Sequence, residues 1–473
     1  MQMVIEIPEE LKGVGEAVKA MVQQVEATWR STRGGRGVEY PKIEQQLAAG
    51  AAAIERASHQ AVLQGLDVDQ PRVVIDGQVY CRVGRYEAEY YTMAGSVRVT
   101  RTLYREQGQR NAKTVNAVSL RCGAVEEGWL PGTAQAMAHQ LQQGTSREAE
   151  TTARMLGRLP YARSSFESIG QEVGRQYTAV RTALEAVLIE EYLVPAEAAS
   201  ISVALDRVSV PMEEAVAAKE HGAQAGTHKR KVWRQFRMAY CATLTLHDRK
   251  GEALHTLRYG RMPQGAVQEL CETLAQDVCI LLRKQPALGV ILLADGAPEL
   301  WNLLTSSLNA ETLGVPVRQL VDLWHLLEKL GSAARLLYGE AHGPAVLQGW
   351  RLRLLNRSGS VAEILRELVN SGMEDLGVGT SRPVHEAITY LENHQARMNY
   401  AAARRRGFPV GSGNVEATCK SLVAVRMKRP GARWKEETGE HLLNLRALAL
   451  SDRWELAMAL TLRPLRKTLR LAA

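Results

Sequence analysis

The chain contains no Cys-x-x-Cys pair: its six cysteines, Cys81, Cys122, Cys241, Cys271, Cys279 and Cys419, are scattered. That spacing excludes a structural zinc site of the usual kind and a disulfide framework, and favours a reducing compartment. No apolar run approaches the ~18 residues that a membrane-spanning helix needs, so no membrane association is expected. The stretch Met1 to Lys12 already carries Glu6, Glu9 and Glu10, which excludes an ordinary signal peptide. Acids are also in short supply. Against 59 Lys and Arg stand 51 Asp and Glu, leaving a formal net charge of +8 and a pI near 9.1. Such a surplus suits a polyanionic partner. With 473 residues, 45% apolar and 23% charged, the chain has the material of an ordinary soluble protein of about two to four domains. A cytoplasmic, mildly basic protein is the expectation.

Residues 3–30 and 41–65 predict two helices, separated by the basic glycine-rich loop at 31–37, and 1–70 reads as an N-terminal helical region. After Pro71 the period becomes two. Val73-Val74-Ile75, the turn Asp76-Gly77 and Val79–Val83 predict a hairpin. A second, with strands Glu87–Met93 and Ser96–Tyr104 about Ala94-Gly95, completes a small β unit over 71–130 that presents Arg98, Arg101 and Arg105. From 131 to 195 the chain is helical again, over Thr133–Leu141, Ser146–Leu156 and Ser164–Leu193. Ser146 reads as an N-cap and Ser164 with Glu167 as a capping box. In outline this is a helix-turn-helix-like, DNA-binding region, although any small helical bundle gives the same pattern.

Residues 196–325 carry the most information. Ile201–Asp206 is an apolar strand ending in a carboxylate. After a loop of roughly thirty residues come strands Met238–Leu246 and Ala253–Tyr259, joined by the turn His247–Gly251. A helix follows at 266–283, with Val267, Leu270, Leu274, Val278 and Leu281 along its inner face. Gly289–Ala294 is a continuous apolar run, as expected of a strand buried on both faces, and leads into Asp295-Gly296. A helix at 298–308 and a strand at 315–321 lead to Asp322-Leu323-Trp324-His325. The order strand, strand, strand, helix, strand, helix, strand is that of a ribonuclease H-like catalytic core, an α/β fold in which the first and fourth strands are neighbours. Asp206 and Asp295 would then meet at one edge of the sheet. Residues 326–405 read as a helical insertion.

The core is completed by 406–473. Here Val410-Gly411-Ser412-Gly413-Asn414-Val415-Glu416-Ala417-Thr418-Cys419-Lys420 is a glycine-rich turn entering an amphipathic helix, with Val415, Cys419, Leu422 and Val423 on one face. Glu416 is a lone acid in its first turn. Around it lie Arg404, Arg405, Arg406, Lys420, Arg426, Lys428, Arg429, Arg433 and Lys435, a set suited to DNA phosphates. Phosphodiester cleavage and strand transfer can be run by two divalent metal ions, and magnesium favours oxygen ligands, so three carboxylates from separate elements suffice to hold a pair. Each acid alone has an ordinary explanation: a strand-end turn for Asp206, a plain turn for Asp295-Gly296, a helix-dipole partner for Glu416. Their joint order is what singles them out.

Ala294-Asp295-Gly296-Ala297, Asp322-x-x-His325, the Gly411–Lys420 motif and the downstream Arg433-Trp434 resemble the DDE transposases of bacterial insertion sequences, most closely the ISKra group, over about 85–455. Two departures stand out: Arg207 follows Asp206 where family members often carry glycine, and Cys122 is alone where many carry paired cysteines. The resemblance implies a metal-binding catalytic triad of Asp206, Asp295 and Glu416, with Asp322 and His325 as an auxiliary catalytic motif. It also implies Mg²⁺ as cofactor, with Mn²⁺ substituting, and double-stranded DNA (element ends and target) as partner. A homo-oligomer on DNA and a bacterial, nucleoid-associated location belong to the same expectation. The alternatives are an inactive or domesticated relative that only binds DNA, and a structure-selective nuclease that cuts without joining.

Overall fold

A computed structural model of the protein describes residues 6–33, 35, 37–126, 128–215, 232–263, 267–377, 379 and 381–471. Expectations falling on 1–5, on Gly34 and Arg36, on 216–231 of the long loop and on Ala266 lie outside these residues. The chain is a mixed α/β protein with two five-stranded sheets, and it divides into two compact units, Met1–Val180 with Glu455–Ala473, and Arg181–Trp454. Among the described residues no helix is long and apolar enough to cross a membrane, and all six cysteines are free.

In the first unit, helices α1 (Lys12–Thr32) and α2 (Tyr40–Gln64) pack together. They precede strands β1 (Arg72–Ile75), β2 (Gln78–Thr92), β3 (Gly95–Glu106) and β4 (Val115–Asn116), with the chain's last strand, Leu469–Leu471, beside β1. Asp76 and Gly77 adopt φ of 48° and 84°, the left-handed pair that a two-residue hairpin turn requires. Both expected hairpins share β2, which runs unbroken through a bulge between Arg82 and Gly84. The second turn is Met93-Ala94, one residue earlier than its glycine suggests. Thr92 pairs with Gly95 across it, and the Thr92 hydroxyl accepts the Ala94 N–H and donates to the Gly95 carbonyl.

Helices α3 (Ala117–Cys122), α4 (Pro131–Gln143), α5 (Ser146–Met155) and α6 (Arg163–Ala179) follow. Two caps differ from expectation. Thr145, not Ser146, caps α5 in a reciprocal box with Glu148, and α6 starts after Ala162 without a side-chain cap, so Ser164 lies inside it. The single helix expected to Leu193 breaks at Val180 (φ −125°) and resumes as α7 (Arg181–Glu190). Neither proline nor glycine marks that break.

The second unit is built on β5 (Ser200–Ala215), β6 (Val232–His247), β7 (Ala253–Arg261), β8 (Gly289–Ala294) and β9 (Val317–Val321), in the order β7-β6-β5-β8-β9. The first three are antiparallel, while β5, β8 and β9 are parallel. First and fourth strands are thus neighbours, as expected. Between β7 and β8 runs α8 (Val267–Lys284), with Leu270, Leu274, Val278 and Leu281 buried. Helices α9 (Pro298–Ser307) and α10 (Ala310–Leu313) connect β8 to β9. The largest departure concerns β5 and β6, which extend well past Asp206 and well before Met238, so much of the expected loop is a hairpin. The 326–405 stretch is helical: α11 (Leu323–Asn356), interrupted at Gly339 (φ 72°), then Ser360–Asn370, Pro383–His394 and Tyr400–Arg405.

Beneath the sheet, Tyr259 donates a hydrogen bond to the buried carboxyl of Asp277, and the Arg453 guanidinium lies 5.0 Å over the Tyr259 ring. Burial pushes Asp277 up to about 7. A folded-state value above the unfolded one means that this group's stabilisation is complete below the ordinary aspartate range and is lost as pH rises towards 7. Asp277→Asn should therefore remove a pH-dependent loss of up to ~4 kcal/mol. The check is thermal melting at pH 5 and pH 8: the wild-type midpoint falls between them and the variant's falls much less.

Candidate active site

The site is assembled where strand ends meet a returning loop. Strand β8 is buried on both faces up to Ala294, so its first polar residue, Asp295, emerges at the sheet edge. There Asp295 Oδ1 accepts the Ala297 N–H at 2.8 Å and its carbonyl accepts the Trp301 indole at 2.7 Å. A Cβ on Gly296 would stand 2.6 Å from the Tyr390 ring and 2.9 Å from His394, which explains the glycine of the Asp-Gly-Ala motif. Asp206 sits within β5, two residues past Ala204, the last residue paired with β8 (to Leu293). Continuing that register sets Asp206 opposite Asp295. Asp206 accepts its neighbour Arg207 N–H at 2.7 Å and the Cys419 thiol at 3.3 Å. Arg207 pairs with Glu299.

Strand β9 ends at Val321, and the next residue, Asp322, is completely buried. Its Oδ1 caps α11 by accepting the Trp324 and His325 N–H groups at 2.5 and 3.2 Å. Its Oδ2 accepts both the N–H and the hydroxyl of Ser412. Burial would raise its pKa, but hydrogen bonds from His325 and Ser412 prevail and hold it below the usual value. This carboxylate therefore fastens the Gly411–Gly413 turn to the end of β9. A Cβ on Gly411 would lie 3.0 Å from the Trp324 ring, whereas nothing lies within 4 Å of one on Gly413.

From that turn rises α15 (Gly413–Thr418), which follows α12 (Ser360–Asn370), α13 (Pro383–His394) and α14 (Tyr400–Arg405) along the chain. It winds into a π-helical segment, Cys419–Ala424, and then a short turn at Val425–Met427. Val415, Cys419, Leu422 and Val423 are buried as their spacing requires. A π segment leaves carbonyls out of the ordinary ladder. Here Arg446 donates to those of Leu422, at 2.9 Å, and Ser421. Burial lowers Arg446 to about 10, with Arg426 and Arg429 adding to the shift.

Glu416 projects from the first turn of α15, half-buried. His325 Nδ1 lies 3.9 Å from its Oε1 and 3.6 Å from Asp322 Oδ1. The Asp322 carboxylate raises His325 to about 9 against the opposing effect of burial, with Glu416 and Asp295 contributing. The imidazole is thus a cation at neutral pH.

Asp322, His325 and Glu416 offer ligand atoms within 4.8 Å of one another, a group that shares only Glu416 with the sequence-predicted triad. Asp295 contributes to the charge felt at His325, and Asp206 accepts the thiol of Cys419, three residues beyond Glu416. As donors for a hard divalent cation these acids fit. Among the described residues Asp295 Oδ2 and both Glu416 carboxylate oxygens accept no hydrogen bond, which leaves them open to a hard cation. Asp322 fits less well, because its oxygens are taken by four protein donors.

The predicted DNA-binding cations are not equivalent. Arg404, Arg405, Arg406, Lys420, Lys428, Arg433 and Lys435 are exposed, whereas Arg429 is half-buried. Arg404 bonds Asn356 and Arg405 bonds Ser358. Arg426 is buried, its guanidinium 5.0 Å over the Trp434 ring. Sequence reasoning missed Tyr390, His394 and the hydrogen-bonding role of Ser412. The i, i+4 spacing of Tyr390 and His394 was visible, but nothing tied that helix to Asp295.

No family model matches the sequence, and no curated protein matches it. Among solved structures, it is similar to a Drosophila P element transposase strand transfer complex, at 12% identity over 70% of this chain and 94% of that one, with a TM-score of 0.37. A Mos1 transposase paired-end complex with left transposon end is similar at 13% identity, over 59% and 80%, with a TM-score of 0.17. At scores this low neither likeness carries weight for the chemistry.

Because Asp322 and Ser412 act as one clamp, their effects should not add. Asp322→Asn and Ser412→Ala should each destabilise by roughly 1–3 kcal/mol, and the double variant by clearly less than the sum. Chemical denaturation of the four proteins measures this coupling; simple additivity would mean that the clamp does not act as a unit.

Proposed function

We propose that the chain is a metal-dependent DNA transposase of the DDE type, with a ribonuclease H-like core in the second unit. What supports this reading is the strand register that sets Asp206 opposite Asp295, together with His325 3.9 Å from Glu416 and within the field of Asp295. In this reading Asp206, Asp295 and Glu416 hold Mg²⁺, or Mn²⁺ in its place. Metal held by these residues would supply the positive charge that favours the attacking and leaving oxygens of a phosphodiester.

The protein's own groups do the rest. His325, cationic and half-exposed, donates a hydrogen bond to the non-bridging or leaving oxygen of the scissile phosphate, where negative charge grows. Asp322 is a positioning residue in this scheme, orienting His325 and setting the height of Glu416 through Ser412. The exposed cations Arg404, Arg405, Arg406, Lys420, Lys428, Arg433 and Lys435 track the DNA backbone, and the helices at 131–195 contact element ends. An insertion-sequence element of the ISKra-like kind, moved in a bacterial cytoplasm, is the setting that this reading suggests.

A gel assay with candidate element ends, Mg²⁺ and purified protein tests the function. Cutting followed by joining supports a transposase, cutting alone a structure-selective nuclease, and binding alone an inactive relative. Asp295→Asn and Glu416→Gln should each lower cleavage by at least ~10³-fold while leaving DNA affinity within about twofold, since affinity resides in Lys and Arg. Parallel loss of binding would make these acids structural.

Replacing Arg404, Arg405 and Arg406 together with alanine should flatten log affinity against log salt by about one unit per lost phosphate contact. An unchanged slope would leave them as solvated residues bonded to Asn356 and Ser358.

A further inference from the structure

Two thiols stand beside the first acid of the proposed triad, and the proposed chemistry uses neither. Cys241 on β6 lies directly opposite Asp206 on β5, so the two side chains share one face of the sheet. Cys419 comes from another direction, at the start of the π-helical segment that continues α15. Its thiol donates to Asp206 Oδ2 at 3.3 Å and is also hydrogen-bonded with Cys241. With the Cys419 proton committed to the carboxylate, Cys241 is the donor in that second contact. Both are shut away from solvent: Cys241 has no exposed surface and Cys419 only 7%. Cysteines this deep usually serve as small apolar residues. A thiol spent on a carboxylate is a different use.

Cys419 follows Glu416 by three residues, and residues at that spacing share a face of a helix. The segment that presents the third acid therefore presents the thiol with it, and this segment packs on β5 and β6. Asp206 Oδ1 is meanwhile held by the Arg207 N–H at 2.7 Å. Each oxygen of Asp206 thus has one donor, the two donors come from different elements, and each oxygen keeps a lone pair. A thiol is a weak donor, so it fixes the carboxylate's orientation while leaving its charge for a cation. Carboxylates that ligate metals are commonly held by such hydrogen bonds, and removing the partner lowers metal affinity. We propose that Cys419 is a positioning residue. It orients Asp206 for a divalent cation and ties that acid to the helix of Glu416, while Cys241 holds the thiol in place. The inference rests on the reading of Asp206 as a metal ligand.

The test is Mn²⁺ binding to the full chain without DNA, read from the electron paramagnetic resonance signal of the free ion, so that no turnover is needed. The wild type should bind Mn²⁺, and Asp206→Asn should lose about tenfold or more in affinity. Cys419→Ala should weaken binding by about tenfold, the low end for a partner that orients a ligand. Cys419→Ser keeps a donor and should stay within about threefold of the wild type. Cys271→Ala removes an equally buried thiol from α8 and should change nothing, which separates lost positioning from lost packing. Cys241→Ala leaves the Cys419 thiol unsupported and should lose about threefold. It decides the matter if Cys419→Ala does not fold, and wild-type affinity there overturns the proposal. If Asp206→Asn binds as well as the wild type, or the wild type binds no Mn²⁺, the underlying metal reading falls and the positioning role with it. If Asp206→Asn loses the ion while Cys419→Ala keeps it, the metal reading stands and the positioning role is overturned. A Cys419→Ser protein as weak as Cys419→Ala overturns the hydrogen bond as the cause.

Discussion

A single buried carboxylate sets the geometry of the second unit. Asp322 has no exposed surface, and a charge so placed is tolerated only when its lone pairs are filled by well-directed donors. The donors come from two places that are far apart in the chain: the first turn of α11, and Ser412 in the returning loop. Satisfying the charge therefore requires that the loop close on the end of β9. Backbone bonds follow the same seam, from Asp322 N–H to Ala294 and from Leu323 N–H to Val410. Glu416, four residues beyond Ser412, takes its position from that closure.

A second constraint works from the opposite side. The extension of β5 beyond Asp206 is held by Trp434, whose N–H bonds Pro211 and whose carbonyl accepts from Glu213. The Trp434 indole in turn bonds Met427, at the end of the helix that carries Glu416. That helix is pinned at its start by Asp322 and at its finish by Trp434. The wider winding of Cys419–Ala424 lies between the two anchors, with the freed carbonyls of Ser421 and Leu422 taken by Arg446. It is in this stretch that Cys419 reaches Asp206. Its thiol is held far above the ordinary range by a hydrogen bond with Cys241, by burial and by Asp206, so it remains a neutral donor to the aspartate.

Much of this architecture was legible before the structure, and the limits have physical causes. The apolar run Gly289–Ala294 could only be a doubly covered strand, and it delivered Asp295 to the edge. The order of elements anticipated the register that sets Asp206 opposite it, and the Gly-rich turn anticipated the helix that carries Glu416. The length of β5 was not legible, because Arg207 follows the strand-end acid and Pro211, five residues past Asp206, argues against a continuing strand. Nor was the capping of α5 by Thr145, since Thr145 and Ser146 are both good caps and only the Glu148 geometry separates them. Asp322 was identified as a notable acid. Its partners were not, because Ser412 lies 90 residues away and no local pattern records a hydrogen bond at that range.

Charge balance is the last step. Several carboxylates share this edge of the sheet, and with no counter-charge their repulsion would favour protonating one of them. In the protein as folded the balance is supplied by His325, held protonated to about 9 by Asp322, Glu416 and Asp295. Any cation settling between Asp295 and Glu416 would take over part of that work. Its field would oppose the imidazolium, so proton and cation binding must compete at this site. The competition is lopsided, because Asp322 is reserved for its own donors and stays beside His325 whatever the other acids hold. Asp322 thus keeps His325 positively charged, with its Nδ1 3.6 Å from Asp322 and 3.9 Å from Glu416.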